Sequence, residues 1–135
     1  MKKKKKGIID IYETMYGVDI VVANRDVELD TLAKQYTYPD GALLDTYITD
    51  AMATSAIVKR ISDNKTCVLI KDNKDSIVKT VDKKIDRINT IAHESMHAVM
   101  YIYDIIDQKL CSCSSEPICY LAGYIAECVY KTLTK

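Results

Sequence analysis

One stretch limits the possible folds more than any other. From about Asp82 to Ile106 the chain has neither glycine nor proline, and Ile85, Ile88, Ile91, Ala92, Met96, Val99, Met100 and Tyr103 recur at steps of three and four. That period draws an apolar stripe down one side of a long helix. Whatever else the chain builds has to pack against that stripe. Glu116-Pro117 opens a second helix running to about Leu133, because proline suits a first helical turn. The residues between, Asp107 to Ser115, read as a loop.

Upstream the period changes to that of strands. Residues 8 to 12 alternate, Gly17 permits a turn, and Val18 to Ala23 is a β-branched run. Thr54–Ile61 and Thr66–Lys71 read as a hairpin joined by the polar turn Ser62-Asp63-Asn64-Lys65. Between these pairs, Asp26 is positioned to cap a short helix carrying Leu29, Leu32, Ala33 and Tyr36, and Tyr38-Pro39-Asp40-Gly41 is a turn. Residues 42 to 52 fit either a helical face or a packed loop. The expected fold is α+β: a small antiparallel sheet packed with the long helix and the C-terminal helix.

With 135 residues, 48% of them hydrophobic, the chain suits one domain with one core. Residues 1–7 read as a basic, flexible terminus and 8–135 as the domain. Lys2 to Lys6 supply five positive charges; without them 14 basic residues face 19 acidic ones, and the body carries −5. An acidic body argues against a dedicated nucleic-acid binder. No run approaches the ~20 apolar residues of a membrane span. Asp10 and Glu13 interrupt any signal-peptide core after the lysines, so export is not expected. The five cysteines, Cys67, Cys111, Cys113, Cys119 and Cys128, are odd in number and clustered late, which fits a reducing compartment better than a secreted disulfide framework. Cys119 and Cys128 read as small core residues. Phe and Trp are absent while Tyr numbers ten, so tyrosine supplies the aromatic packing.

One constellation carries chemistry. His93-Glu94-Ser95-Met96-His97 is H-E-x-x-H, and these two histidines are the only ones in the chain. Residues four apart lie on one helical face a turn apart, so both imidazoles can reach one metal ion. Glu94 lies about 100° round the helix, within reach of water at that ion without being a ligand. Burying such groups without a partner would cost several kcal/mol, and a metal is a partner. The candidate third ligand is Glu116, 19 positions after His97 and at the start of the next helix. Because the motif helix runs on past His97, the last helix has to cross it at an angle, or the motif helix has to end sooner. Glu127, eleven residues on, shares the face of Glu116 and is the rival carboxylate. Cys111 and Cys113 are rivals of another kind, since a closed Cys2His2 site would be structural.

The run Ala92-His93-Glu94-Ser95-Met96-His97-Ala98, followed by Glu116-Pro117-Ile118-Cys119-Tyr120-Leu121-Ala122-Gly123-Tyr124-Ile125, resembles small HExxH zinc-metallopeptidase-like proteins of bacteriophages and prophages of gut bacteria. These look like minimal gluzincins, and the likeness is clearest over residues 90 to 130. It implies a zincin-like domain, zinc held by His93, His97 and Glu116, Glu94 as general base, and a place in the cytoplasm of a bacterial host. Larger gluzincins often carry Asp four residues after the glutamate ligand. Tyr120 stands there in this chain, and its hydroxyl is the candidate for that orienting task.

The function expected on these grounds is zinc-dependent hydrolysis of peptide bonds by metal-activated water. Tyr101, Tyr120 and Tyr124 are candidate donors to the oxyanion. A peptide or protein substrate is expected to add to residues 66–71 as an edge strand. The alternative from a different class is a zinc-binding structural or interaction protein, phage accessory or virion-associated, without useful catalysis; an accidental motif without metal is the third.

Overall fold

The computed structural model of the protein describes residues 5–80 and 82–135. Lys2, Lys3 and Lys4 of the basic run lie outside them; Lys5 and Lys6 are exposed. The fold is α+β. Five strands, β1 (Ile9–Tyr12), β2 (Asp19–Ala23), β3 (Tyr36–Thr37), β4 (Ala53–Arg60) and β5 (Thr66–Asp72), form one sheet in the order β1-β2-β5-β4-β3. The helices are α1 (Leu29–Ala33), α2 (Tyr47–Asp50), α3 (Lys83–Ile105) and α4 (Ser115–Leu133), with one 3₁₀ turn at Ser112–Ser114.

The two hairpins form as their patterns require. Gly17 takes the left-handed φ of 72° that turns β1 into β2, a conformation a Cβ disfavours. The sheet is mixed rather than antiparallel throughout. β2 pairs with β5 in parallel, Ile20 opposite Val68 and Val22 opposite Ile70, while the other three pairings are antiparallel. The parallel pair is possible because the chain between them makes a long crossover through α1, β3, α2 and β4. It also makes β5 an interior strand, with β2 on one side and β4 on the other. Residues 66–71 therefore cannot serve as the edge that receives a peptide. β1 and β3 are the outer strands, and because β3 pairs with β4 only at Lys59 and Arg60, residues 53–58 of β4 are also unpaired on that side.

Both sheet faces are covered. Ile20, Val22, Val68 and Ile70 pack on one side beneath Ala98, Val99 and Ile102 of α3 and Leu121, Ile125 and Val129 of α4. Val21, Cys67, Leu69 and Val58 pack on the other beneath Leu32, Tyr36, Leu44 and Ile48. Burying an isoleucine such as Ile102 contributes about 1.5–3 kcal/mol. Asp82 caps α3 by accepting a hydrogen bond from the Lys84 amide at 2.8 Å. For α1 the capping position falls to Glu28, not Asp26, and Tyr36 passes into β3.

The buried stripe of α3 is rotated from the one its apolar residues suggest. Ile91, Glu94, Ser95, Ala98, Val99, Ile102 and Tyr103 are buried, while Ile85, Ile88, Met96 and Met100 are exposed. The sheet reaches only the middle and C-terminal turns of the helix, and small side chains at Ser95 and Ala98 let it approach closely there. Cys119 is exposed rather than in the core, whereas Cys128 is buried. Among the described residues no helix is long and apolar enough to cross a membrane.

Candidate metal centre

α3 crosses the sheet where β4 has its free edge, and the H-E-x-x-H turn lies at that crossing. Glu94 points inward and is only 5% exposed. Ser55 of β4 faces it, because the strand turns this residue towards α3, opposite Ile70. The Ser55 hydroxyl donates a short hydrogen bond to Glu94 Oε2 and lies 3.3 Å from the Glu94 carbonyl oxygen. One carboxylate oxygen is thereby occupied. The other, Oε1, lies 3.9 Å from His93 Nε2.

The two imidazoles stand side by side at the mouth of this recess. Their Nε2 atoms are 3.1 Å apart, and their rings meet edge-on with centroids 4.8 Å apart. Both histidines are exposed, whereas Glu94 is buried. Tyr101, one further turn along, stacks on His97 with ring planes 18° apart and centroids 6.1 Å apart. Burial first, then the neighbouring Tyr47 hydroxyl and the Glu94 carboxylate, push the Tyr101 hydroxyl above its ordinary range, so it stays a proton donor at neutral pH.

These groups surround a cavity of ≈ 300 Å³ walled by α2, the start of β4 and α3. Tyr47 and Asp50 close it on the α2 side, and Thr54 and Ser55 on the strand side. It continues past Ala51 and Ala53 into a second recess bordered by Met52, Asp86, Asn89 and Thr90. Together they form a groove along the unpaired edge of β4.

The structure brings together His93, Glu94 and His97 of the residues singled out in the sequence. It leaves Glu116 exposed at the start of α4, and among the described residues no three His, Cys, Asp or Glu side chains stand close enough to hold one ion. The reason is the length of α3: it continues to Ile105 before the chain turns back, which carries the first turn of α4 past the cavity. Tyr120 is also elsewhere. It is 75% exposed and lines a separate, larger cavity of ≈ 630 Å³ with Glu13, Tyr16, Pro117 and Tyr124. The Tyr124 hydroxyl donates to the Glu13 carbonyl there at 2.6 Å. Of the three candidate tyrosines only Tyr101 reaches the histidines. Glu127 pairs with Lys131 at 3.1 Å on the outer surface of α4, and Cys111 and Cys113 are joined to each other in a disulfide.

Ser55, Asp50 and Tyr47 enter the site without having been singled out. Ser55 had a signal, a small polar residue at an inward position of a strand whose neighbours are apolar. Asp50 and Tyr47 lie on a helix of four residues, too short for any period to show. Compared with protein-family models, with curated proteins and with solved structures, the chain matches none.

Proposed function

We propose that the protein is a zinc-dependent peptidase in which His93 and His97 hold the ion and Glu94 is the general base. The observation that supports this most is the convergence of the two Nε2 atoms at 3.1 Å beside a buried carboxylate. Two nitrogens at ordinary zinc distances in a tetrahedral shell would be about 3.3 Å apart. The observed 3.1 Å is close to that separation, and it is also that of a hydrogen bond between the two rings.

Zinc supplies a Lewis acid and a water made acidic near neutral pH. The chain's own residues do the rest. Glu94 Oε1, the oxygen Ser55 leaves free, would accept a proton from a water as its oxygen bonds to the peptide carbonyl carbon, and would return that proton to the amine nitrogen as the C–N bond breaks. Tyr101 donates to the carbonyl oxygen as that oxygen gains charge. The open edge of β4, residues 53–58, holds an extended peptide by main-chain hydrogen bonds, in place of residues 66–71.

Two imidazoles leave part of a tetrahedral shell to be filled. Glu116 would fill it only if the first turn of α4 moved towards His97, so zinc content in Glu116→Gln tests that ligand: loss supports it, and full retention removes it. The same separation favours a second reading, a metal-binding module without hydrolysis. Cleavage of an unstructured protein substrate decides between the two. The peptidase reading expects zinc-dependent cleavage that Glu94→Gln abolishes while zinc content is unchanged. Absence of cleavage with zinc fully bound, or persistence of cleavage in that variant, overturns it.

A further inference from the structure

The peptidase reading uses His93, Glu94, His97 and the hydroxyls of Ser55 and Tyr101, and leaves three parts of the cavity wall unexplained: the ring of Tyr47, the ring of Tyr101 and the carboxylate of Asp50. The Tyr101 ring is held in place by its stacking on His97. Tyr47 is exposed and lines the same cavity as Tyr101. Asp50 receives no hydrogen bond and no ion pair at its carboxylate from any described residue, unlike Asp45 beside it, which accepts from the Tyr38 hydroxyl and the Tyr47 amide. Among the described residues no lysine or arginine lines this cavity or the recess that continues it, although 28% of the chain is charged.

Two aromatic rings beside an unpaired carboxylate, with no resident cation, form a receptor for a positively charged side chain. A guanidinium stacks on tyrosine faces and pairs with a carboxylate through two parallel N–H bonds. Asp50 is exposed, so an apolar side chain gains nothing from its charge, and an acidic one would be repelled. At ≈ 300 Å³ the cavity is at the small end for ligand sites and suits one long side chain rather than a larger molecule. We propose that this cavity selects peptides with an arginine next to the bond presented to Glu94, the guanidinium lying between Tyr47 and Tyr101 and paired with Asp50. The position of that bond rests on the peptidase reading; recognition of the arginine itself does not need the metal.

The test uses the full chain treated with chelator and two fluorescent pentapeptides, acetyl-Gly-Gly-Arg-Gly-Gly-amide labelled at the N-terminus and its citrulline twin, which keeps the shape and loses the charge. Binding of the arginine peptide at least tenfold tighter than the citrulline peptide is expected, with the difference removed in Asp50→Asn and reduced in Tyr47→Ala. Equal binding of the two peptides overturns the proposal. So does an Asp50→Asn variant, folded by circular dichroism, that keeps the preference, or one that loses its zinc, which would make Asp50 a ligand. A charge preference in a protein that never cleaves sinks the peptidase reading alone. Cleavage indifferent to arginine sinks this proposal alone.

Discussion

Replacing Ser55 with alanine tests the coupling between the sheet and the motif helix. Ser55 and Glu94 are 7% and 5% exposed, so water does not readily replace the lost bond. A hydrogen bond to a charged group contributes about 1.5–3 kcal/mol, and leaving a buried charged acceptor bare costs about as much. Ser55→Ala is therefore expected to destabilise the fold by about 1.5–3 kcal/mol, and for a chain this size to lower the melting temperature by roughly 5–15 °C. Denaturant unfolding of wild type, Ser55→Ala, Glu94→Leu and the double variant forms a cycle that isolates the pair. Because Glu94→Leu removes the group that needs the hydroxyl, Ser55→Ala in that background is expected to cost little. A loss below 0.5 kcal/mol in the single variant, or additivity round the cycle, would refute the reasoning that Ser55 holds Glu94. On the peptidase proposal, cleavage by Ser55→Ala is expected to fall through kcat, since the hydroxyl holds one oxygen of the Glu94 carboxylate and leaves the other free.

Lys71 is 1% exposed, and its ammonium donates to the Asn24 and Asp72 carbonyls at 3.0 and 2.7 Å. Burial pulls its pKa below the ordinary 10.5, so the unfolded chain binds this proton more tightly, and wild type should gain stability relative to Lys71→Met as pH rises towards 10.5 in urea titrations. A flat difference would contradict that. Asp63 accepts from Arg60 and from the Lys65 amide, which holds its carboxyl below the ordinary 3.8. Its contribution is present above 3.8 and lost as pH falls through the lowered value, so the stability gap between wild type and Asp63→Asn should close in acid.

Sequence period located most elements because periods of two and 3.6 are local properties. β4, β5, α3 and α4 fall within a residue or two of where alternation, the helical period and proline put them. What the period left open was which part of a broad apolar stripe would be covered. Ile85 and Ile88 are as apolar as Ile91, yet only Ile91 lies over the sheet. Strand order was hidden because the parallel partnership of β2 and β5 depends on a crossover, although the unbroken apolar run Cys67-Val68-Leu69-Ile70 fits a strand covered on both faces. At the site, the spacing of His93 and His97 within one helix was enough to join them, because four residues make about one turn. Glu116 and Tyr120 depended on the angle and length of two helices and on the loop between them, which spacing along the chain does not encode.

The most direct measurement is the metal content of the purified protein, taken by elemental mass spectrometry beside His93→Ala and His97→Ala. One zinc per chain in wild type, lost in each variant while the fold persists by circular dichroism, is the expected result. Wild-type protein that remains metal-free after equilibration with zinc, or variants that keep the ion, would contradict a site built on the two imidazoles.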